Sequence, residues 1–261
     1  RERYGRYEDL ELYKDMPFTN WQDEVFGRDA ISQTHILNVI GGTGKTNFNF
    51  NLNHTDEEGI MLNSGYVRTL ASFKFDHRAT DKLRLGFTSG YSRQTIEGVG
   101  TSSTGTQSSN RLRNAVRFRP FVAPGMESVV DEFDPEYANL TNLTSPVLLA
   151  NQELREDNRN DVILNGWFSY ELIKGLTFKS VFGINTTDRD RNTFNVVVTS
   201  IARQNNDQPV VQMTGSQYLS LTNSNTLNYR TRIGDDHNLN LLVGQAIWQR
   251  DAKNRSVTTK W

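Results

Sequence analysis

The chain has 261 residues, a formal net charge of −1 at pH 7 and no cysteine. The lack of cysteine excludes a disulfide scaffold and a zinc–cysteine site, and the near-zero charge argues against a nucleic-acid partner. Only 36% of the residues are hydrophobic but 10% are aromatic, whereas a disordered chain has few aromatic residues and a high net charge. We therefore expect an ordered but polar chain.

Residues 1–30 are charged and aromatic without a sustained period, so we interpret them as a loop. Strands follow within residues 31–91. The clearest of them is residues 46–54, Thr-Asn-Phe-Asn-Phe-Asn-Leu-Asn-His, in which Asn occupies every odd position from 47 to 53. A period of two is typical of a β-strand, whose successive side chains point to opposite faces. One face would be a row of carboxamides and the other apolar, which suits the wall of a membrane barrel better than a soluble core.

The same alternation recurs in residues 66–76 and 82–91. In the first of these, Phe73 and Phe75 fall on one face, whereas Lys74 falls on the other. This pattern predicts further half-apolar strands.

The period stops between residues 92 and 160, a segment that holds a Gly/Ser/Thr tract and several prolines. We interpret 92–160 as a long loop. Residues 161–185 then form a hairpin, residues 186–223 a second long connection, and residues 224–248 a last hairpin.

These elements make about seven strands, with connections that are alternately short and long. Short turns at one end and long loops at the other are typical of outer-membrane β-barrels. Because complete bacterial barrels have an even number of strands, we expect residues outside this sequence to complete the sheet. The predicted fold class is all-β: a segment of an antiparallel transmembrane β-barrel with long extracellular loops.

Several stretches resemble segments of the SusC/RagA-like TonB-dependent outer-membrane transporters. Residues 19–26, Thr-Asn-Trp-Gln-Asp-Glu-Val-Phe, match the family's TNWQDEVF segment. Residues 40–47 and 56–60 are similar to its SGG, KTNY and DQEGI pattern. Residues 174–184 resemble its KGLTFKSSFGI strand, and residues 237–245 resemble its HNLNVLLGQE strand. The matches follow the order of the family.

The resemblance implies a plugged barrel of roughly 22 strands in the outer membrane of a Gram-negative bacterium, in contact with lipid. It implies a SusD-like surface lipoprotein as a lid, and energy from the TonB–ExbB–ExbD complex through the TonB box of a plug. The function would be active import of oligosaccharides from glycan breakdown, or of peptides. The plug and the remaining strands are not in this sequence, so we expect it to be an internal piece of a longer protein.

The family's topology would place residues 1–30, 56–65, 92–160 and 186–223 outside the cell and the short turns in the periplasm. Together with the alternation, it assigns one set of side chains to the lumen, where they would hold the plug or line the transport path. These are Asn47, Asn49, Asn51, Asn53, Arg68, Lys74, Arg84, Lys179, Arg230 and Arg232.

An acidic and aromatic cluster lies in the longest predicted loop. Asp131, Glu132 and Asp134 are candidate Ca²⁺ ligands, because carboxylate oxygens suit that ion; a solvated loop is the alternative interpretation. Phe133 and Tyr137 are candidate contacts for the ligand or the lid protein.

The segment at residues 19–26 supplies two further candidates for ligand or lid contact, Trp21 and Asp23. Packing within the first loop is the alternative role for both. The sequence alone leaves the two roles open.

The sequence predicts no catalysis and no cofactor. Gly44-Lys45-Thr46 resembles the end of a phosphate-binding loop, but that motif needs a Gly where Val39 stands and a helix after Thr46. The four histidines lie on different strands or turns without the spacing of metal ligands. We therefore expect that the protein is not an enzyme.

Two other classes remain open. One is a passive barrel, either a porin-like channel or an adhesin, which would show the same alternation. A plug with a TonB box in the parent protein would distinguish a transporter from such a passive barrel. A soluble sugar-binding β-sandwich would fold as a monomer without detergent. We expect the isolated segment to aggregate instead, because unpaired strand edges and a lipid-facing surface would be exposed.

Overall fold

The computed structural model describes residues 18–98, 111–118, 120, 145–197, 199–203, 205–234 and 236–260. They form one antiparallel sheet of eight strands, in which each strand pairs with the next along the chain. The strands are β1 (Ser32–Gly42), β2 (Thr46–Glu58), β3 (Gly65–Arg78), β4 (Leu83–Glu97), β5 (Glu153–Ile173), β6 (Leu176–Asn195), β7 (Val210–Ile233) and β8 (His237–Lys260). The predicted all-β, antiparallel fold is confirmed.

Outside the sheet, the described residues form short helices. They are α1 (Trp21–Phe26), α2 (Arg111–Arg117), α3 (Pro146–Gln152) and α4 (Ser200–Arg203). The side chain of Asn20 caps α1 by accepting a hydrogen bond from the Gln22 backbone N–H, and Ser145 caps α3 in the same way. None of the helices in the described part of the chain is long and apolar enough to cross a membrane.

The predicted number of strands was wrong, since the sheet has eight strands rather than about seven. The inference drawn from an odd count therefore falls away. The strands are also longer than predicted: β4 and β5 extend into 92–160, and β6 and β7 reduce the connection 186–223 to residues 196–209. The added parts are largely polar on both faces, so no hydrophobic period marks them, and only backbone pairing identifies them.

Three predicted loops contain helices that the sequence did not indicate. The helix α1 lies within residues 1–30, α2 and α3 lie within residues 92–160, and α4 lies within residues 186–223. None of the four exceeds seven residues. A period of 3.6 needs a window of about 11–18 residues to become visible, so helices this short leave no pattern.

The cross-strand register fixes the two faces of the sheet, because directly paired residues of antiparallel strands point the same way. Phe50 pairs with Val39 and with Phe73, which places these three side chains on one face. Asn51 pairs with Ser72 on the other face. We call these the apolar face and the polar face.

Aromatic rings connect neighbouring strands on the apolar face. The ring centroids of Phe48 and Phe73 are 6.5 Å apart, and Phe87 lies 5.6 Å from both Phe73 and Phe75. Such pairs contribute about 0.5–1.5 kcal/mol beyond the burial of their area. The rings therefore help to fix the register of β2, β3 and β4.

Apolar side chains on this face form a band about as deep as a bilayer core. On β4 the band spans residues 83–91, and on β5 it spans residues 162–170. A barrel strand crosses the hydrocarbon in about 9–11 residues, so the depth fits. The next pair on the same face, towards the long connections, is Arg93 opposite Asn160. The band ends there.

Two amides interrupt the apolar band on β7. The Nδ2 of Asn225 donates a hydrogen bond of 2.7 Å to Oδ1 of Asn223, whose own Nδ2 donates to the Val181 carbonyl at 3.3 Å. Because these bonds lie within the sheet, they satisfy part of the hydrogen-bonding capacity of the two amides among apolar neighbours.

Candidate functional site

The register places all ten side chains that we assigned to the lumen on the polar face. The row Asn47, Asn49, Asn51 and Asn53 lies on β2, and the other six residues lie on β3, β4, β6 and β7. The alternation read from the sequence thus corresponds to one continuous surface. What this surface contacts stays a prediction.

The asparagine row faces small and charged partners on β3. Asn49 lies opposite Lys74, whose Nζ is 3.5 Å from the Asp76 carboxylate. The Oδ1 atom of Asn49 is buried and has no hydrogen-bond partner among the described residues. A buried oxygen without a donor costs about 1–3 kcal/mol. Because the atom is buried, a group that approaches the polar face cannot reach it in this side-chain conformation.

The centre of the polar face carries a cation–π contact. The Nζ of Lys179 lies 5.4 Å from the ring centroid of Trp167. Trp167 is itself directly opposite Gly86, where a Cβ atom would lie only 2.7 Å from the indole Nε1. A side chain at position 86 would therefore collide with the indole ring in its present place.

A cluster of arginine and aspartate side chains lies on the polar face of β5 and β6, and we had not predicted it. Arg189 binds the Asp157 carboxylate at two points, Nε–Oδ1 at 2.7 Å and Nη2–Oδ2 at 2.6 Å. Arg191 binds the same carboxylate through Nε at 2.9 Å and Nη2 at 2.8 Å. Arg155 approaches it at 4.0 Å. The Asp157 side chain is 5% exposed, so three guanidinium groups cover it.

A second carboxylate belongs to the same cluster. Asp161 accepts hydrogen bonds from Arg159 at 3.0 Å and from the Thr187 hydroxyl at 2.6 Å. In the register, Arg159 lies directly opposite Arg189, so the two ion pairs are neighbours. We call Arg155, Asp157, Arg159, Asp161, Arg189 and Arg191 the arginine–aspartate cluster.

The cluster lies beyond the apolar band, at the end of the sheet with the long connections. Asp157 precedes Ile173, the last residue of β5, by 16 positions. At about 3.3 Å per residue this is roughly 50 Å along the strand, while about 9–11 residues suffice to cross the hydrocarbon. The cluster therefore lies farther along the sheet than the apolar band extends.

The electrostatics of the cluster follow from this geometry. Hydrogen bonds from Arg189, and next from Arg191, lower the pKa of Asp157 below its ordinary value against an opposing effect of burial. The same bond raises the pKa of Arg189. Burial, followed by the positive charge of Arg191, lowers the pKa of Arg155. The cluster thus holds its aspartate ionised and keeps like charges close together.

On β7 and β8, two aromatic side chains of the polar face lie near another cation. The guanidinium of Arg250 lies 5.0 Å from the ring centroid of Tyr218. The indole Nε1 of Trp248 donates a hydrogen bond of 3.0 Å to Oγ of Ser220. Rings and guanidinium groups therefore share this face on β7 and β8.

Trp21 packs in a small hydrophobic cluster above the sheet rather than standing free. Its ring meets Phe118 edge-on at 5.2 Å, and Ala115, Phe26 and Val147 complete the contacts. We call these five residues the loop cluster. Because Trp21 is only 7% exposed, its place in the structure fits the packing role.

Asp23 lies on the exposed side of α1. Its carboxylate accepts a hydrogen bond from the side chain of Asn20, the residue that caps the helix. An acidic side chain in the first turn also stabilises the positive end of a helix. Asp23 is therefore accessible, and its contact with a ligand or lid stays a prediction.

Polar contacts tie the loop cluster to the sheet. Arg111 is buried and pairs with Glu153 at the start of β5, while burial lowers its pKa. The Nδ2 of Asn63, in the β2–β3 connection, donates to the Ala150 carbonyl at 3.2 Å. Arg28 donates to the Gly59 carbonyl at 2.7 Å. Three connections are thus joined into one cap.

An open cavity of about 300 Å³ lies beside this cap. Its lining includes the carboxylates of Asp56, Glu57, Glu58 and Glu97. Among the residues that the structure describes, no group of histidine and acidic side chains is arranged to hold a metal ion. The acidic cavity therefore has no assigned ligand.

The Ca²⁺ candidates Asp131, Glu132 and Asp134, and the contact candidates Phe133 and Tyr137, lie outside the described residues. The histidines on β2 and β3 make local bonds instead. His54 Nδ1 and Thr69 Oγ1 are 2.9 Å apart, and His77 Nδ1 and Thr46 Oγ1 are 2.8 Å apart.

No family model matches the chain. It is 27% identical to the TonB-dependent receptor P3 of Formosa agariphila over 245 residues, which are 87% of this chain and 22% of that protein. It is 26% identical to the TonB-dependent receptor SusC of Bacteroides thetaiotaomicron over 159 residues, 56% of this chain and 16% of SusC. These relatives are named as receptors, not as enzymes.

Solved structures show the same fold. The structure of the RagAB peptide importer in its closed-closed state superposes with a TM-score of 0.74 at 17% identity, covering 99% of this chain and 29% of that chain. Its open-open state gives a TM-score of 0.74 at 18% identity. The chain spans about a fifth of the length of the curated relatives that it matches. The resemblance to SusC-like TonB-dependent receptors is thus confirmed, and the fold is that of a barrel segment of such a receptor.

Proposed function

We propose that this chain forms part of the wall of an outer-membrane transporter that imports nutrients with energy from TonB. The observation that carries the proposal is the combination of two features in one sheet. The apolar face has the depth of a bilayer, and the whole sheet is similar in sequence and fold to proteins named as TonB-dependent receptors or as an importer.

In this proposal, the apolar face contacts lipid in the outer membrane of a Gram-negative bacterium. Large side chains on this face of β8 have no partner in the described structure: Leu241, Val243 and Ile247 are 52%, 72% and 57% exposed. Membrane barrels place such residues against hydrocarbon. Contact with lipid would remove these apolar side chains from water.

The polar face would then line the lumen. The part of this face that lies away from the long connections carries the asparagine row, Lys74 and Lys179. It would hold a plug domain that receives energy from the TonB–ExbB–ExbD complex. The carboxamide and ammonium groups of this surface support contact with another polar domain.

The cargo would be an oligosaccharide or a peptide. The family resemblance in the sequence implies both classes, and the similarity to the RagAB peptide importer supports the peptide. A SusD-like lipoprotein would close the outer mouth, where the loop cluster and the exposed Asp23 give it a rigid surface to contact.

The test uses the full-length parent protein in its own outer membrane. Cells with and without an intact TonB system are given labelled oligosaccharides or peptides as the only carbon or nitrogen source. We expect uptake only when both the protein and TonB are present. Uptake that persists without TonB would overturn active transport and favour a passive channel.

A further inference from the structure

We propose that the arginine–aspartate cluster is a binding subsite for an oxyanion group, a carboxylate or a sulfate, on the transported molecule. The inference rests on the proposed function and specifies the chemistry of its cargo. It is carried by an excess of positive charge at one place on the polar face, farther along the sheet than the apolar band extends.

The charge of the cluster is unbalanced. Four guanidinium groups face two carboxylates, which leaves two positive charges in excess. Among the residues that the structure describes, the nearest further carboxylate on this face, that of Glu153, already pairs with the buried Arg111. The neighbouring acidic residues Glu156, Asp188 and Asp190 belong to the opposite face by register. An anion in front of the cluster would therefore be attracted to it.

The guanidinium groups keep donors for such an anion. Arg189 and Arg191 each bind Asp157 through Nε and Nη2, so that this carboxylate leaves Nη1 unused. Their side chains are 43% and 36% exposed, and that of Arg159 is 43% exposed. The planar fork of a guanidinium binds carboxylate and related oxyanions at two points. The bonds to Asp157 fix the forks in place, so little side-chain entropy is lost on binding.

The arginines of the cluster also repel one another. Arg191 is among the causes that lower the pKa of Arg155. A bound oxyanion would relieve this repulsion.

The position favours cargo over the plug as the source of the anion. The cluster lies beyond the apolar band, at the end where the long connections and the loop cluster are. A solute entering from outside would meet this part of the wall first. Attraction of opposite charges there would also raise the rate of capture.

The experiment measures binding to the purified full-length protein by calorimetry, with matched pairs of probes. One pair is a trigalacturonate and its methyl ester, and the other is a glutamate-containing pentapeptide and its glutamine counterpart. A sulfated disaccharide and its unsulfated form make a third pair. We expect at least one anionic probe to bind more tightly than its neutral partner, and the pair that does so identifies the source of the anion.

Variants then locate the binding site. In the double variant R189Q/R191Q we expect the dissociation constant of the anionic probe to rise at least tenfold and that of the neutral probe to stay the same. The matched control is R93Q/R255Q, which removes two positive charges at the same height but on the opposite face. Its affinity should equal that of the wild type.

A second variant guards against misfolding. In R159Q, Asp161 keeps its hydrogen bond from Thr187, so the fold is retained, and we expect a smaller, roughly threefold, loss for the anionic probe. Equal affinity of the wild type for charged and neutral probes, or unchanged affinity in R189Q/R191Q, would overturn the proposal. Uptake by wild-type cells with and without TonB is measured separately, so the failure of transport can be distinguished from the failure of this site.

Discussion

The guanidinium of Arg189 and the carboxylate of Asp157 form a two-point ion pair across β5 and β6, with bonds of 2.7 and 2.6 Å. The pair lies where both faces of the strands are largely polar. At this height charge-assisted hydrogen bonds between side chains, rather than apolar packing, therefore add to the backbone pairing of β5 and β6.

Stability should depend on pH through Asp157. Its pKa in the folded protein lies below the ordinary value of 3.8, so its contribution is fully present above that value and is lost as the pH falls through the folded pKa. We expect Asp157→Asn to lower the free energy of unfolding at pH 7 by about 1–3 kcal/mol, discounted because its arginine partners are partly exposed. Urea unfolding of the full-length wild-type and variant proteins at pH 7 and pH 3 measures this difference in the free energy of unfolding. The difference from the wild type should shrink at pH 3; a constant difference would contradict the assignment.

A charge on the apolar face should prevent stable insertion. Phe87 lies within the band and contacts Phe73 and Phe75. We expect Phe87→Arg to destabilise the inserted barrel by about 2–4 kcal/mol. The control is Thr88→Arg, the next residue on the polar face. Unfolding in lipid vesicles, followed by the mobility of unheated samples on gels, compares them. Equal effects of the two changes would mean that the faces are assigned wrongly.

Two glycines on one face of β4 should respond differently to a methyl group. A Cβ at Gly86 would lie 2.7 Å from Trp167 Nε1 and 2.8 Å from the Phe75 carbonyl oxygen, whereas the nearest atom at Gly90 is 3.9 Å away. We expect Gly86→Ala to cost about 1–3 kcal/mol and Gly90→Ala to be neutral or slightly stabilising. Urea unfolding monitored by tryptophan fluorescence tests this. A loss of stability that is as large at Gly90 would contradict it.

Truncation of Trp21 should loosen the cap without affecting the barrel. Trp21→Ala removes the contact with Phe118, and the loss should be local because the loop cluster is separate from the apolar band. We expect faster hydrogen exchange in residues 59–64 and 146–152, with β4 to β7 unchanged. Glu24→Ala, on the exposed side of α1, is the control. If hydrogen exchange in residues 59–64 and 146–152 is unchanged in Trp21→Ala, the loop cluster does not stabilise the cap.

The sequence by itself determined the features that depend on alternation. Wherever one face of a strand is apolar, apolar and polar residues alternate in the sequence, as around Phe48, Phe50 and Phe73. The fold class, the two faces and the similarity to SusC-like receptors followed from such stretches and from local motifs. The alternation also grouped Asn47 to Asn53 on one face for the same reason, and that this face lines the lumen stays a prediction.

Only the tertiary structure decided what lies beyond the band. There both faces are polar, so the full lengths of β5 to β8 could not be read from a period. The arginine–aspartate cluster joins residues of β5 to residues of β6 that are more than 30 positions away in the chain, as Asp157 and Arg189 show. In the sequence, the charged segments of β5 and β6 have the pattern of a solvated loop. Only backbone pairing brings them side by side. Long-range pairing, not local pattern, creates that surface.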